Sequence, residues 1–215
     1  MRIWPVASGS RLNRILTIRW TGQLTDGLFQ SALASFILFS PERAPNAVAA
    51  ALAFTVVLLP YSLIGPYVGT ILDRFSRQRI IRNCNYIRAF DLLIIAWLVN
   101  SGSTGVVITL FVLIAFGVNR LILAGLSAGL PLLVKKDELI AVNALAVTGG
   151  TIWVVIGGGI GIATKNFVSA TYSADFADSV VILLASALFT VAALSCYRLS
   201  KFEIGPTEHE GKSEN

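Results

Sequence analysis

The chain has 215 residues, of which 55% are hydrophobic and only 13% charged, a balance that excludes an ordinary water-soluble domain. Its net charge of +5 is not a nucleic-acid footprint, because the basic residues are spread over short connectors with no aromatic-studded soluble surface to carry bases. Six apolar stretches of roughly 20 residues each, enough to cross about 30 Å of hydrocarbon, take up most of the sequence.

A basic leader, residues 1–14 with Arg2, Arg11 and Arg14, precedes the first predicted span, Ile15 to Phe39. A leader of this kind followed by Ala32-Leu33-Ala34 imitates a signal peptide, but the segment is long and carries Gln23 and Asp26, which favours an uncleaved span. Gln23, Asp26 and Gln30 follow i, i+3, i+7 spacing and give this helix a polar stripe that wants water or a partner. The second span runs from Val48 to Leu72 and ends in a run of cations, Arg74, Arg77, Arg79 and Arg82. The third, Asn83 to Val99, contains Arg88 and Asp91, three residues apart and able to pair locally. The fourth, Val106 to Leu133, carries Asn119 and Arg120 near its middle, with no local anion for Arg120. The fifth, Leu139 to Ala163, is dense in glycine, and the sixth, Val180 to Tyr197, is followed by a hydrophilic tail, residues 200–215, expected to be disordered and cytoplasmic.

No stretch shows the strict alternation of a barrel strand, and lipid offers free backbone groups no partner, so the spans are expected to be helices. The predicted fold is all-α: a polytopic six-helix bundle over residues 15–199. Eleven cations fall on one side of it: Arg2, Arg11, Arg14, Arg74, Arg77, Arg79, Arg82, Lys135, Lys136, Arg198 and Lys201, against Arg43 and Lys165 on the other. The positive-inside bias places that side, and with it both termini, in the cytoplasm.

Several chemistries find no support. Cys84 and Cys196 lie near cytoplasmic helix ends, where a disulfide does not persist, and the single histidine, His209, sits in the tail with no metal-ligand spacing around it. No metal or cofactor is expected. Gly125-Leu126-Ser127-Ala128-Gly129 matches a nucleophile elbow, but it lies within an apolar helix rather than at a strand-to-helix turn, and small residues at that spacing read as helix packing. The chain does not read as an enzyme.

The residues that matter are the ionisable ones within the spans, each costing a few kcal/mol or more (roughly) unless it meets water or a partner. At roughly 1.5 Å per residue, Asp26 and Asp91 lie about 12 Å in from the cytoplasmic face and Arg120 about 20 Å. Either aspartate could reach Arg120. The three form either a proton-coupling or substrate-binding set, with Gln23 and Gln30 along the pathway, or an interhelical ion pair that fixes packing.

The loop after the second span reads Gly69-Thr70-Ile71-Leu72-Asp73-Arg74-Phe75-Ser76-Arg77-Gln78-Arg79. It resembles the signature loop of the major facilitator superfamily: a glycine, three residues, Asp-Arg, one residue, glycine, then a basic pair. Gly69, Asp73, Arg74 and Arg77 match; Ser76 replaces the second glycine and Gln78 one base. The resemblance implies a conformational latch, with Asp73 capping a helix of an opposite half and Arg77 pairing with neighbouring acids in one access state. A carboxylate at a helix N-terminus gains charge-assisted hydrogen bonds that vanish when two bundles rock apart. Arg120 falls where that family often has a functional arginine. Gly149-Gly150, Trp153 and then Gly157-Gly158-Gly159-Ile160-Gly161 look like the glycine-rich antiporter helix of its drug-efflux branches, without the expected proline. Pro131-Leu132-Leu133-Val134-Lys135, with Leu139 and Asn143-Ala144-Leu145, is similar to the four-to-five connection of macrolide- and multidrug-efflux members.

Members of that family have two six-helix halves, and this sequence holds only what resembles the amino-terminal one. Alternating access needs a second bundle to rock against. The expectation is therefore a half of a proton-coupled efflux transporter for small amphipathic or drug-like molecules, working in the cell membrane. Its partners would be the lipid bilayer, a small-molecule substrate and a second six-helix half, from another copy or a separate chain. The alternatives are a truncated remnant that does not transport and a membrane scaffold or assembly subunit.

Overall fold

The structure is a computed structural model that describes residues 10–33, 67–103 and 106–205. Every regular element among the described residues is helical: α1 (Ser10–Leu33), the described part of α2 (residues 67–74), α3 (Arg77–Asn100), α4 (Val106–Gly129), α5 (Leu139–Ser169) and α6 (Ala174–Ser195). Short 3-10 turns, Leu130–Leu132 and Cys196–Arg198, follow α4 and α6. Most of the second predicted span, and the loop holding Arg43, lie outside the described residues.

Among the described residues, three helical stretches are long and apolar enough to cross a membrane: Val106–Leu132, Leu139–Ser169 and Ala174–Arg198. Helices α1 and α3, at 24 residues each, rise about 36 Å and match that length, but Arg11, Arg14, Arg19 and Asp26 on one, and Arg77, Arg79, Arg82, Arg88 and Asp91 on the other, dilute their apolar character. Helix ends run past the predicted spans: α3 begins at Arg77 rather than Asn83, α5 continues to Ser169 rather than Ala163, and α6 begins at Ala174 rather than Val180. Hydropathy marks the segment that lipid would cover, whereas helical hydrogen bonding continues until a cap or turn stops it. At α6 the cap is Ser173, whose hydroxyl accepts from the Phe176 amide at 3.3 Å. At the end of α3 the chain reverses through Gly102, whose φ of +68° suits a residue without Cβ.

Helix α1 packs mainly on α5 and α6, and α3 on α6 and α4, so α6 stands between the two pairs. The α1–α5 seam is built on glycine. A Cβ added to Gly157 would overlap the Leu24 carbonyl, one added to Gly161 the Ser31 hydroxyl, and one added to Gly27 the Val154 carbonyl. Two backbones touch there directly, the arrangement small residues permit between membrane helices.

Two apolar clusters run through the bundle among the described residues. One joins Leu28, Phe29, Leu92, Ile95, Val112, Val181 and Phe189; the other joins Leu12, Ile15, Ile81, Ile122, Leu126, Val142 and Cys196. The second includes Leu199 and Ile204, both buried, so the tail expected to be disordered from residue 200 packs against the bundle as far as Gly205. One isoleucine among charged neighbours anchors it, a signal that average composition hides. Residues 206–215 lie outside the described residues.

Candidate functional site: a buried charge layer between two apolar cores

Between the two clusters lies a layer of polar side chains. Arg88 of α3, 1% exposed, forms an ion pair with Asp26 of α1, itself 3% exposed. Its Nη1 donates to Asn119 Oδ1 of α4 at 3.1 Å, and its guanidinium stacks over the Phe189 ring of α6, 3.9 Å from the centroid. One side chain thus joins four helices. A guanidinium in an apolar interior requires an anion, further hydrogen-bond acceptors and a polarisable face, and this site supplies all three.

This changes the sequence-based pairing. Asp26 meets Arg88 and not Arg120, which lies on the exposed face of α4. Because Asn119 reaches Arg88, residues 119 and 120 sit at the depth of Asp26 rather than well beyond it. Counting residues from uncertain span ends produced that offset. Nor does Arg88 spend itself on its neighbour in sequence: Asp91 is buried, and its Oδ2 has no hydrogen-bond partner among the described residues. Gln23 is half-buried against Gly150 of α5, and Gln30 is exposed. The polar face of α1 also includes Arg19, at i, i+4, i+7 and i+11 with Gln23, Asp26 and Gln30. Arg19 is buried and donates to Ser127 Oγ of α4 at 3.0 Å. Extending the helical period one turn toward the amino terminus would have found it. The serine of the elbow-like motif is accordingly a hydrogen-bond acceptor between helices, and its flanking Gly125 and Gly129 face Ile81 and Ile204.

In the latch-like loop, Gly69 and Asp73 are exposed, and Arg77 Nη2 lies 3.5 Å from Asp73 Oδ1. Arg77 Nη1 also donates to the carbonyls of Ala128 at 3.0 Å and Ile204 at 3.1 Å, tying the start of α3 to the end of α4 and to the carboxyl-terminal segment. Arg74 is exposed at the same end. Of the glycine-rich run, Gly157 and Gly161 face α1, Gly158 is in ordinary contact with Gly27, and Gly159 meets nothing within 4 Å. Gly150 joins the contact face, where its missing side chain admits Gln23. Cys84 and Cys196 are buried free thiols. No group of metal-ligating side chains occurs among the described residues.

The chain is 31% identical over 197 residues to an uncharacterized MFS-type transporter of Mycobacterium bovis, and to another of Mycobacterium tuberculosis with the same identity and extent. The match covers 92% of this chain and 44% of each relative, so the chain spans a little under half the length of the curated relatives it matches. No family model and no solved structure matches. Both relatives are named as MFS-type transporters, and the apolar helices of this chain suit a membrane protein.

Proposed function

We propose that this chain is one six-helix unit of a major facilitator superfamily transporter, which moves small amphipathic molecules out of the cell in exchange for protons, and that Asp26 and Arg88 are its coupling pair. The observation that carries this reading is the Asp26–Arg88–Asn119 layer, an ion pair closed off between two apolar cores in a chain similar to transporters. A buried pair contributes little to stability compared with well-packed apolar residues, so its presence calls for a role other than holding the fold. Protonating the carboxylate removes the anion that holds Arg88 and changes what ties α1 to α3 and α4. That gives a two-state element which both a proton and a substrate can bias.

Gln30 on α1 is a polar group on an exposed helix face within an apolar segment. Such a group needs a wet crevice, which a second six-helix unit packed on this one would create. The match to under half of each relative is consistent with a second unit of comparable size. Asp73, Arg74 and Arg77 would then form the latch between units, with Gly69 allowing close approach.

The reading is tested in everted membrane vesicles carrying the protein, energised with a proton gradient and supplied with ethidium, an amphipathic cation, in the outer medium. Proton-dependent ethidium movement above that of vesicles without the protein is expected, and Asp26→Asn should remove it at unchanged protein level. Equal movement by wild type and Asp26→Asn would dismiss Asp26 from coupling; no movement above background would dismiss efflux of this class of molecule.

A further inference from the structure

A second site lies at the end of the bundle where the basic residues collect. Arg74, Phe75, Ser76, Arg79, Ile80, Asn83, Lys201 and Phe202 surround an open cavity of about 450 Å³. Three of these side chains are cationic and none is acidic. The two nearby carboxylates are engaged elsewhere: Asp73 lies 3.5 Å from Arg77, and Glu203 lies 3.6 Å from Arg11 and accepts from the Ser200 amide at 2.8 Å. No ion pair holds Arg74, Arg79 or Lys201 among the described residues.

The first turn of α3 adds to this positive charge. Its amino end carries the positive pole of the helix, and the hydroxyl of Ser76, which would ordinarily cap it, donates instead to the Lys201 carbonyl. The Arg77 amide is satisfied by the Gly205 carbonyl at 3.0 Å, whereas those of Gln78 and Arg79 have no acceptor among the described residues. The carboxyl-terminal segment therefore both forms one wall of the cavity and removes the cap from the helix beneath it. Phe75, 60% exposed, stands at the rim, and Tyr197, equally exposed, stacks beneath Arg82 with its ring centroid 4.9 Å from the guanidinium. Aromatic rings beside cations at the end of apolar helices occupy the headgroup level of a bilayer.

We propose that this cavity binds a phosphate oxyanion, supplied by the headgroup of an anionic glycerophospholipid in the leaflet at this end of the bundle. Paired guanidinium groups match the geometry of phosphate oxygens, and uncapped amides at a helix start extend the same recognition. A free phosphate offers the same oxygens but no glycerol and acyl chains to lie along Phe75 and Phe202. Bridging the loop after α2 to residues 200–205, a bound headgroup would hold the carboxyl-terminal segment on the start of α3. The site is independent of the Asp26–Arg88 pair, and its test does not require transport.

The experiment uses the purified full chain in a neutral detergent, with lipid retention measured by native mass spectrometry and thermal unfolding followed in parallel. Phosphatidylglycerol should be retained in preference to phosphatidylcholine, and should raise the unfolding temperature. Lys201→Gln, an exposed position, should weaken retention about fivefold, and Arg74→Gln with Arg79→Gln should abolish the preference. Arg14→Gln, on an exposed cation outside the cavity, should leave it unchanged. Equal retention of the two lipids, or undiminished preference in a Lys201→Gln protein with a wild-type unfolding profile, overturns the proposal. Stabilisation by inorganic phosphate matching that by phosphatidylglycerol would make the cavity a free-anion site and overturn the lipid assignment.

Discussion

Arg88 illustrates how far a residue's chemistry can be read before its partner is known. Its cost within an apolar span was legible, and so was the presence of carboxylates at comparable depth. The choice between Asp91 on its own helix and Asp26 on another was not, because that depends on how α1 and α3 rotate about their axes. The same holds for Arg19, whose place on the polar face of α1 follows from spacing but whose acceptor, Ser127, belongs to another helix. Removing one member of a buried pair strands the other. Arg88→Met is therefore expected to destabilise the protein by about 3 kcal/mol, leaving Asp26 buried without its partner. Asp26→Asn should cost less, since an amide still accepts from Arg88. The double variant should be more stable than the sum of the single losses implies, measured as unfolding midpoints in detergent. Strict additivity would mean that the two side chains do not interact.

At the scale of helices, the glycine-rich run in α5 was visible, but not which of its members matter. Glycine density alone cannot distinguish a contact from a bend. The face is selected by what it meets: Gly150, Gly157 and Gly161 turn toward α1, where Gly27 completes the approach, and Gly159 turns away. This separation gives a sharp expectation. Gly157→Ala would drive a methyl group into the Leu24 carbonyl, a backbone atom that moves only if α1 moves, and should cost about 1–3 kcal/mol as overpacking does elsewhere. Gly159→Ala meets nothing and should leave stability unchanged or raise it slightly, because alanine favours the helix. Circular dichroism melts of the two variants side by side check the contrast; equal losses would show that α5 lies on α1 by some other face. The carboxyl-terminal segment teaches the opposite lesson. Its composition spoke for disorder, yet Ile204 is fully buried and the Arg77 amide is bonded to Gly205. A single apolar anchor and a few backbone bonds outweighed the average.

For the molecule as a whole, sidedness is the property on which both sites depend. The structure gathers cations at one end through direct contacts: Arg14 donates to the Arg198 carbonyl at 2.9 Å, Arg11 pairs with Glu203, and Arg77 reaches Ile204. The opposite end holds the Ser101–Ser103 reversal, close to Asp175 at the start of α6, and the Lys165–Asp178 pair at 2.8 Å. Charge counting along the sequence divides the described connectors in the same way, because alternate connectors of an antiparallel bundle share an end; Arg2 and Arg43 lie outside the described residues. Which end faces the cytoplasm follows from the positive-inside bias, worth testing directly. Arg79→Cys and Ser101→Cys place single reporters on exposed residues at the two ends, and the native Cys84 and Cys196 are buried and should label slowly. A membrane-impermeant maleimide should modify Ser101→Cys in intact cells and Arg79→Cys only after the membrane is opened. The reverse pattern would put the basic cavity in the outer leaflet and place the Asp73–Arg77 loop outside the cell. The proton gradient would then act on Asp26 from the side opposite to the one efflux by exchange requires. The direction of transport and the leaflet of the bound lipid are thus a single physical question, decided by which face of the bilayer holds the arginines.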